Sequence, residues 1–283
     1  MNAPGHLRRT ILLTGVAVLH ALVAVGMVVL AGYLLPVNDV KLVVLGLAYA
    51  QATVAGAWAA CGPGQLIVRM PLAIGWSILV GVAMLVQVGR PSNGEWLICL
   101  IFGGSPLVQL LLVTLCLWLV RVTFRLRLSW LADAASRRTN PTDYQFGIRQ
   151  LLILTTGIAI FLGVGRWLAA SFGADGAANV NAQIIATLSL VVACNSLFSI
   201  PLVIALLLPR YAVFGIVLSL AFGVLVTLIE DSGYHAIEGG GASPNGLFWY
   251  LNGTEYAWVF ASLLAVRFAG YRLVRPAESH ATN

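Results

Sequence analysis

The sequence predicts an all-α fold: a polytopic membrane bundle of about eight transmembrane helices, divisible into two four-helix halves. Three observations lead there. Of 283 residues, 60% are hydrophobic and 9% charged, where soluble domains carry roughly 25% charge. Mean hydropathy is +0.93, which excludes a soluble globular domain, a disordered chain and a barrel with a polar lumen. The apolar residues also fall in runs of helical-span length, separated by turn residues and charge.

A helix needs about 20 residues to cross the hydrocarbon, and the first run, 11–35, meets that length before Pro36, Asn38 and Asp39. Arg8 and Arg9 precede it, but it is longer than the apolar region of a signal peptide, about 7–15 residues. It is therefore expected to stay as the first span. The second span, 40–60, ends at Gly62, Pro63 and Gly64, and the third, 66–88, at Arg90, Pro91, Ser92, Asn93 and Gly94. Span four covers 96–120 and span five 149–172. Spans six and seven, 182–208 and 211–230, are divided by Pro209 and Arg210, and span eight covers 252–272. This divides the chain into a first half at 1–120, a link at 121–148 and a second half at 149–283.

Lysine and arginine test the alternation. One side collects Arg8, Arg9, Arg69, Arg121, Arg125, Arg127, Arg137, Arg138, Arg149, Arg210, Arg267, Arg272 and Arg275; the other has Lys41, Arg90 and Arg166. Thirteen against three places both termini in the cytoplasm of a cell (inner) membrane. The acids lean the other way: Asp39, Glu95, Asp175, Glu230, Asp231, Glu238 and Glu255 all count as outside, in loops or near span ends. The net charge of +6 is thereby a topology signal, and no nucleic-acid partner is expected. Cys61, Cys99, Cys116 and Cys194 form no CxxC pair and read as small packing residues.

Two loops are long. In the link, Val122, Phe124, Leu126, Leu128 and Trp130 alternate as a strand would, yet Val122, Leu126 and Trp130 also recur at helical spacing. Because they follow directly on span four, an interfacial helix is expected, anchored against anionic lipid at the cytoplasmic face by Arg121, Arg125, Arg127 and Trp130, with Arg149 opening span five. The outer loop, 231–251, contains Gly239, Gly240 and Gly241 and is expected to be flexible, with Trp249 and Tyr250 at the membrane interface.

The halves share a trace of repetition. Thr14-Gly15-Val16-Ala17-Val18 matches Thr156-Gly157-Ile158-Ala159-Ile160 at a shift of 142, which also carries spans two and three onto six and seven. Span four falls about twelve residues short of span eight. Four spans per half would be parallel repeats about an axis along the membrane normal.

Residues Gln145-Phe146-Gly147-Ile148-Arg149-Gln150-Leu151-Leu152-Ile153-Leu154-Thr155-Thr156 resemble a pattern of uncharacterised planctomycete multi-span membrane proteins, Phe-x-Ile/Leu-Arg-x-Leu-Leu-x-x-Thr-Thr before an apolar span. Gly147 stands where serine is more usual. The resemblance covers about 25 residues and implies membrane location; no functional residue is carried over from it. Physically, Arg149 can snorkel to phosphate while Phe146 and Ile148 seat in the interface.

No intramembrane chemistry has its signature here. There is no His-Glu-x-x-His, no paired aspartate within the spans and no phosphate-binding loop. Gly103-Gly104-Ser105-Pro106 lacks the second glycine of a rhomboid-type serine and reads as a kink. His20 is the sole histidine within the spans, one ligand short of haem. No catalytic residue, cofactor or metal is therefore assigned, and the balance falls against an enzyme. The intramembrane polar residues include His20, Gln51, Thr53, Gln109, Thr114, Asn195 and Ser196, of which His20, Gln51 and Asn195 form the candidate polar cluster. With no carboxylate expected inside the spans, the function read from the sequence is a non-enzymatic membrane scaffold or complex subunit that binds other membrane proteins. The alternative is a small-solute transporter or permease without an intramembrane carboxylate.

Overall fold

The computed structural model describes residues 3–34, 38–62, 65–88, 96–124, 126–130, 180–207, 212–238 and 246–274. Span five, the stretch Gln145–Thr156, Arg125 and Arg149 lie outside them. The described chain is helical apart from one short ribbon: α1 (Ala3–Leu34), α2 (Asn38–Cys61), α3 (Leu66–Val88), α4 (Trp96–Phe124), β1 (Arg127–Trp130), α5 (Val180–Leu207), α6 (Ala212–Glu238), α7 (Leu247–Phe268) and β2 (Tyr271–Val274). The first six helices are long and apolar enough to cross a membrane. The all-α architecture expected from composition is therefore present among the described residues, with six helices that fit a multi-pass membrane protein.

Helix directions follow from their contacts. Tyr49, Val191, Val192, Phe248 and Leu251 pack together, while Cys61, Leu126, Leu207 and Leu273 belong to another cluster. Hence α2, α4, α5 and α7 run parallel, and their C-terminal ends share one end of the bundle. The neighbours α3 and α6 run against them: Ser77 reaches the Pro106 carbonyl, and Gly215 and Gly233 of α6 face Ala205 and Leu190 of α5.

Lipid chains are as apolar as leucine, so burial of apolar surface does not hold such helices together; close packing of small residues does. The central helix α2 presents Ala48, Ala50, Ala52, Ala57, Ala59 and Ala60, all buried. At Gly46 a Cβ would collide with the Leu251 carbonyl of α7, and at Gly81 with the Gly103 carbonyl of α4. Large apolar side chains such as Leu22, Ile78, Leu115 and Leu225 point outward, as a lipid-facing surface requires.

Arginines close the shared end. Arg69 Nη1 donates to the Trp58 carbonyl at 3.0 Å and to that of Gly62, so Arg69 is a buried cap on α2 and does not snorkel outward as its position near a span end implied. Arg121 Nη1 donates to the Ala60 carbonyl at 2.7 Å, and Arg267 Nη1 to the Leu206 carbonyl at 2.5 Å. Each adds a charged donor at a helix C-terminus, where carbonyls run short of intrahelical donors and the dipole is negative; the Trp58 carbonyl also accepts from the Gly62 amide at 2.8 Å.

Beyond α4 the expected interfacial helix gives way to a strand. The helix continues to Phe124, and then Arg127–Trp130 pair antiparallel with Tyr271–Val274, Arg127 opposite Val274 and Trp130 opposite Tyr271. The alternation of Leu126, Leu128 and Trp130 was thus the better signal. It marks a strand because a partner stands ready at the end of α7.

The outer loop expected at 231–251 is also shorter. Helix α6 runs to Glu238 and α7 begins at Leu247, which carries the exposed Trp249 and Tyr250 on a helix. The shortfall between spans four and eight narrows at their C-terminal ends: α4 ends at Phe124 and α7 at Phe268, followed after two residues by β1 and β2 respectively. Arg121 and Arg267 each stand 61 residues after the carbonyl they bind.

Candidate functional site

Helix α7 has too many polar residues to count among the six apolar spans, yet its buried stripe is regular. Phe248, Leu251, Asn252, Glu255, Val259, Ser262 and Leu263 recur every three or four residues and all face inward. One helical face thereby delivers an amide, a carboxylate and a hydroxyl to the interior.

Glu255 is 1% exposed. Its Oε1 accepts from Thr53 Oγ1 of α2 at 2.9 Å and from Gln109 Nε2 of α4 at 2.7 Å. Gln109 Nε2 also reaches Thr53 Oγ1 at 2.8 Å and the Tyr49 carbonyl at 3.3 Å. Three helices thus meet at one carboxylate oxygen. Thr53 lies in the span Lys41–Cys61, about 18 Å along the helix from its start and about 12 Å from its end at 1.5 Å per residue. Glu255 is therefore at mid-depth.

One turn earlier, Asn252 Nδ2 donates to Glu230 Oε2 at 2.5 Å and to Thr227 Oγ1 at 3.0 Å, both on α6. Glu230 is 0% exposed. The next residue, Asp231, is on the partly exposed side and lies 3.8 Å from His235.

These positions correct the expectation that every acid lies in a loop or near a span end. Glu230 and Glu255 are inside the bundle, and neither forms a salt bridge among the described residues. A buried acid in a membrane bundle is costly unless it works or is paired.

Next to this network, Pro106 lacks an amide hydrogen, so the Phe102 carbonyl one turn back has no helical donor. Ser105 Oγ donates to that carbonyl at 2.8 Å and Tyr49 Oη donates to Ser105 Oγ at 3.0 Å. Ser105 is a backbone repair tied to α2.

His20, Gln51 and Asn195 are all buried. His20 Nε2 is 2.9 Å from Ser262 Oγ, and Trp258 Nε1 is 3.4 Å from His20 Nδ1. Ser262 already gives its proton to the Trp258 carbonyl at 2.8 Å, so it accepts from His20, and Nδ1 accepts from the indole. A neutral imidazole satisfies both contacts. Its partners are thus on α7, not the Gln51 and Asn195 amides proposed beside it. The Gln51 and Asn195 amides have no hydrogen-bond partner among the described residues. Of the proposed anchors, Arg121 caps α2, and Arg127 and Trp130 belong to β1. Among the described residues no group of three or more His, Cys, Asp or Glu is placed to hold a metal.

Sequence reasoning included Thr53 and Gln109 among the intramembrane polar residues but missed Glu255, Glu230, Asn252 and Tyr49. The available signal was the spacing of Phe248, Asn252, Glu255, Val259 and Ser262, three or four residues apart on one helix.

Compared with known proteins, the chain matches no family model, no curated protein and no solved structure.

Proposed function

We propose that this chain is a carrier for a small solute in the bacterial inner membrane, built from two four-span halves that meet at Glu255 and Gln109. The observation that carries this reading is the mid-depth Glu255, one oxygen held by two helices and the other without a donor among the described residues. The scaffold reading drew its strength from the expected absence of such a carboxylate, and that ground has gone.

Internal symmetry supports the two halves. A shift of 146 relates Arg121 to Arg267, Ala60 to Leu206, and Gln109 to Glu255. The first two pairs make the same arginine-to-carbonyl bond, and the third pair bonds to itself. Symmetric halves with a polar site between them are a common design of membrane carriers.

In this reading both termini are cytoplasmic and the arginine-capped end faces anionic lipid. Helix α4 delivers the chain to that end and α5 takes it up at the opposite one, which supports 149–172 as the fifth of eight spans. Thiol labelling of single cysteines in a cysteine-free background tests both points. Sites introduced near 137 and 240 are expected to react from the inside and outside respectively, and Thr53→Cys from both sides in turn. Reaction at 137 from outside intact cells would overturn the topology. A Thr53→Cys protein inert from both sides would mark a sealed, non-transporting bundle.

A further inference from the structure

We propose that Glu255, Gln109, Asn252 and Glu230 form a binding site for Na+. The inference deepens the carrier reading, since it names the ion that would couple transport, but it stands on a separate count of donors and acceptors. Every donor in the group is engaged. Gln109 Nε2 faces Glu255 Oε1, Thr53 Oγ1 and the Tyr49 carbonyl. Asn252 Nδ2 faces Glu230 Oε2 and Thr227 Oγ1. What remains in each residue is an acceptor: Gln109 Oε1, Asn252 Oδ1, Glu255 Oε2 and Glu230 Oε1 are all buried and receive no hydrogen bond among the described residues.

The amide orientations are not interchangeable. Turning Gln109 or Asn252 over would set an amide oxygen against a carboxylate and, for Gln109, a backbone carbonyl. The site therefore offers four oxygens in want of positive charge. They belong to one small region, because Asn252 and Glu255 are neighbours one turn apart on α7, with Cβ atoms about 5–6 Å apart, and each touches one of the other two residues.

All four ligands are hard oxygens, which suit Na+, Ca2+ or Mg2+ and not a thiolate- or imidazole-seeking metal. Mg2+ keeps several waters and Ca2+ takes six to eight oxygens, more than these four side chains supply. Na+ neutralises one carboxylate, and the other can carry a proton. Among the described residues no arginine is placed in this role: Arg69, Arg121 and Arg267 are engaged with helix carbonyls at the basic end.

The test is equilibrium binding to the purified full chain in detergent. Melting temperature is measured in NaCl, KCl, CaCl2 and choline chloride at equal ionic strength, alongside binding of radiolabelled Na+. The expected result is a saturable rise in melting temperature with Na+ over choline, and one Na+ bound per chain. At about 100 times the dissociation constant, Na+ shifts the folding equilibrium about 100-fold. Glu230→Gln keeps the acceptor for Asn252 and is expected to melt as the parent does in choline while losing the Na+ response. Equal melting in Na+ and choline with no bound label, a response to Ca2+ alone, or an unchanged Na+ response in Glu230→Gln would each overturn the site. Solute uptake driven by a proton gradient in a protein that binds no Na+ would leave the carrier reading intact while removing this one.

Discussion

Gly81→Leu is expected to abolish recovery of folded protein, and Gly81→Ala to lower stability by about 2–3 kcal/mol, the upper part of the range for overpacking. The cause is a backbone-to-backbone approach. A Cβ on Gly81 collides with the Gly103 carbonyl, and neither atom can rotate away, so α3 and α4 must separate along their shared length. That separation also pulls Ser77 from the Pro106 carbonyl, now 3.1 Å away. The control lies on the same helix: a Cβ on Gly75 meets nothing within 4 Å, and Gly75→Ala is expected to be neutral or slightly stabilising. Size-exclusion profiles and thermal melts of the three variants decide it. A Gly81→Ala protein that melts with Gly75→Ala would show that the helices are not in this contact.

Glu255 separates by chemistry. In Glu255→Gln the amide oxygen takes over the Oε1 role and accepts from Thr53 and Gln109, so the fold is expected to hold within about 1 kcal/mol, the scale of one hydrogen bond. In Glu255→Leu the Thr53 hydroxyl is left buried without its acceptor, a penalty of about 1–3 kcal/mol, while Gln109 Nε2 keeps Thr53 Oγ1 and the Tyr49 carbonyl. Relief from burying an acid offsets part of this, and a net loss of about 1–2 kcal/mol is expected. Melts of both variants in the same detergent provide the check. Equal stability of Leu and Gln would mean that the hydrogen bonds from α2 and α4 do not hold this side chain.

Much of the bundle is legible in the sequence, because a run of 20 apolar residues has few other solutions. Span three, read at 66–88, coincides with α3 (Leu66–Val88), and span two at 40–60 differs from α2 (Asn38–Cys61) by one or two residues. The errors fall where polar residues enter the interior. Hydropathy averages every face of a helix, so Glu230 and Asp231 look like the end of a span, although one points inward and the other toward the rim. Starting the last helix at 252 instead of Leu247 likewise leaves Glu255 near an end, when it is eight residues into α7. Pairings between distant segments were beyond reach for another reason. Nothing local in Arg127–Trp130 announces its partner at Tyr271–Val274, and nothing in α1 tells His20 that Ser262 will stand beside it.

The proposed carrier uses Glu255 to couple movement of a solute to an ion. Its most direct test is accumulation in proteoliposomes containing the purified full chain, with an imposed Na+ or proton gradient and a panel of amino acids, sugars, organic amines and carboxylic acids followed by mass spectrometry. Coupling through Glu255 predicts that at least one solute accumulates above its outside concentration while the gradient lasts, and that Glu255→Gln lets the same solute equilibrate without accumulating. No accumulation of any panel member by folded protein under either gradient, or accumulation that persists unchanged in Glu255→Gln, would contradict it.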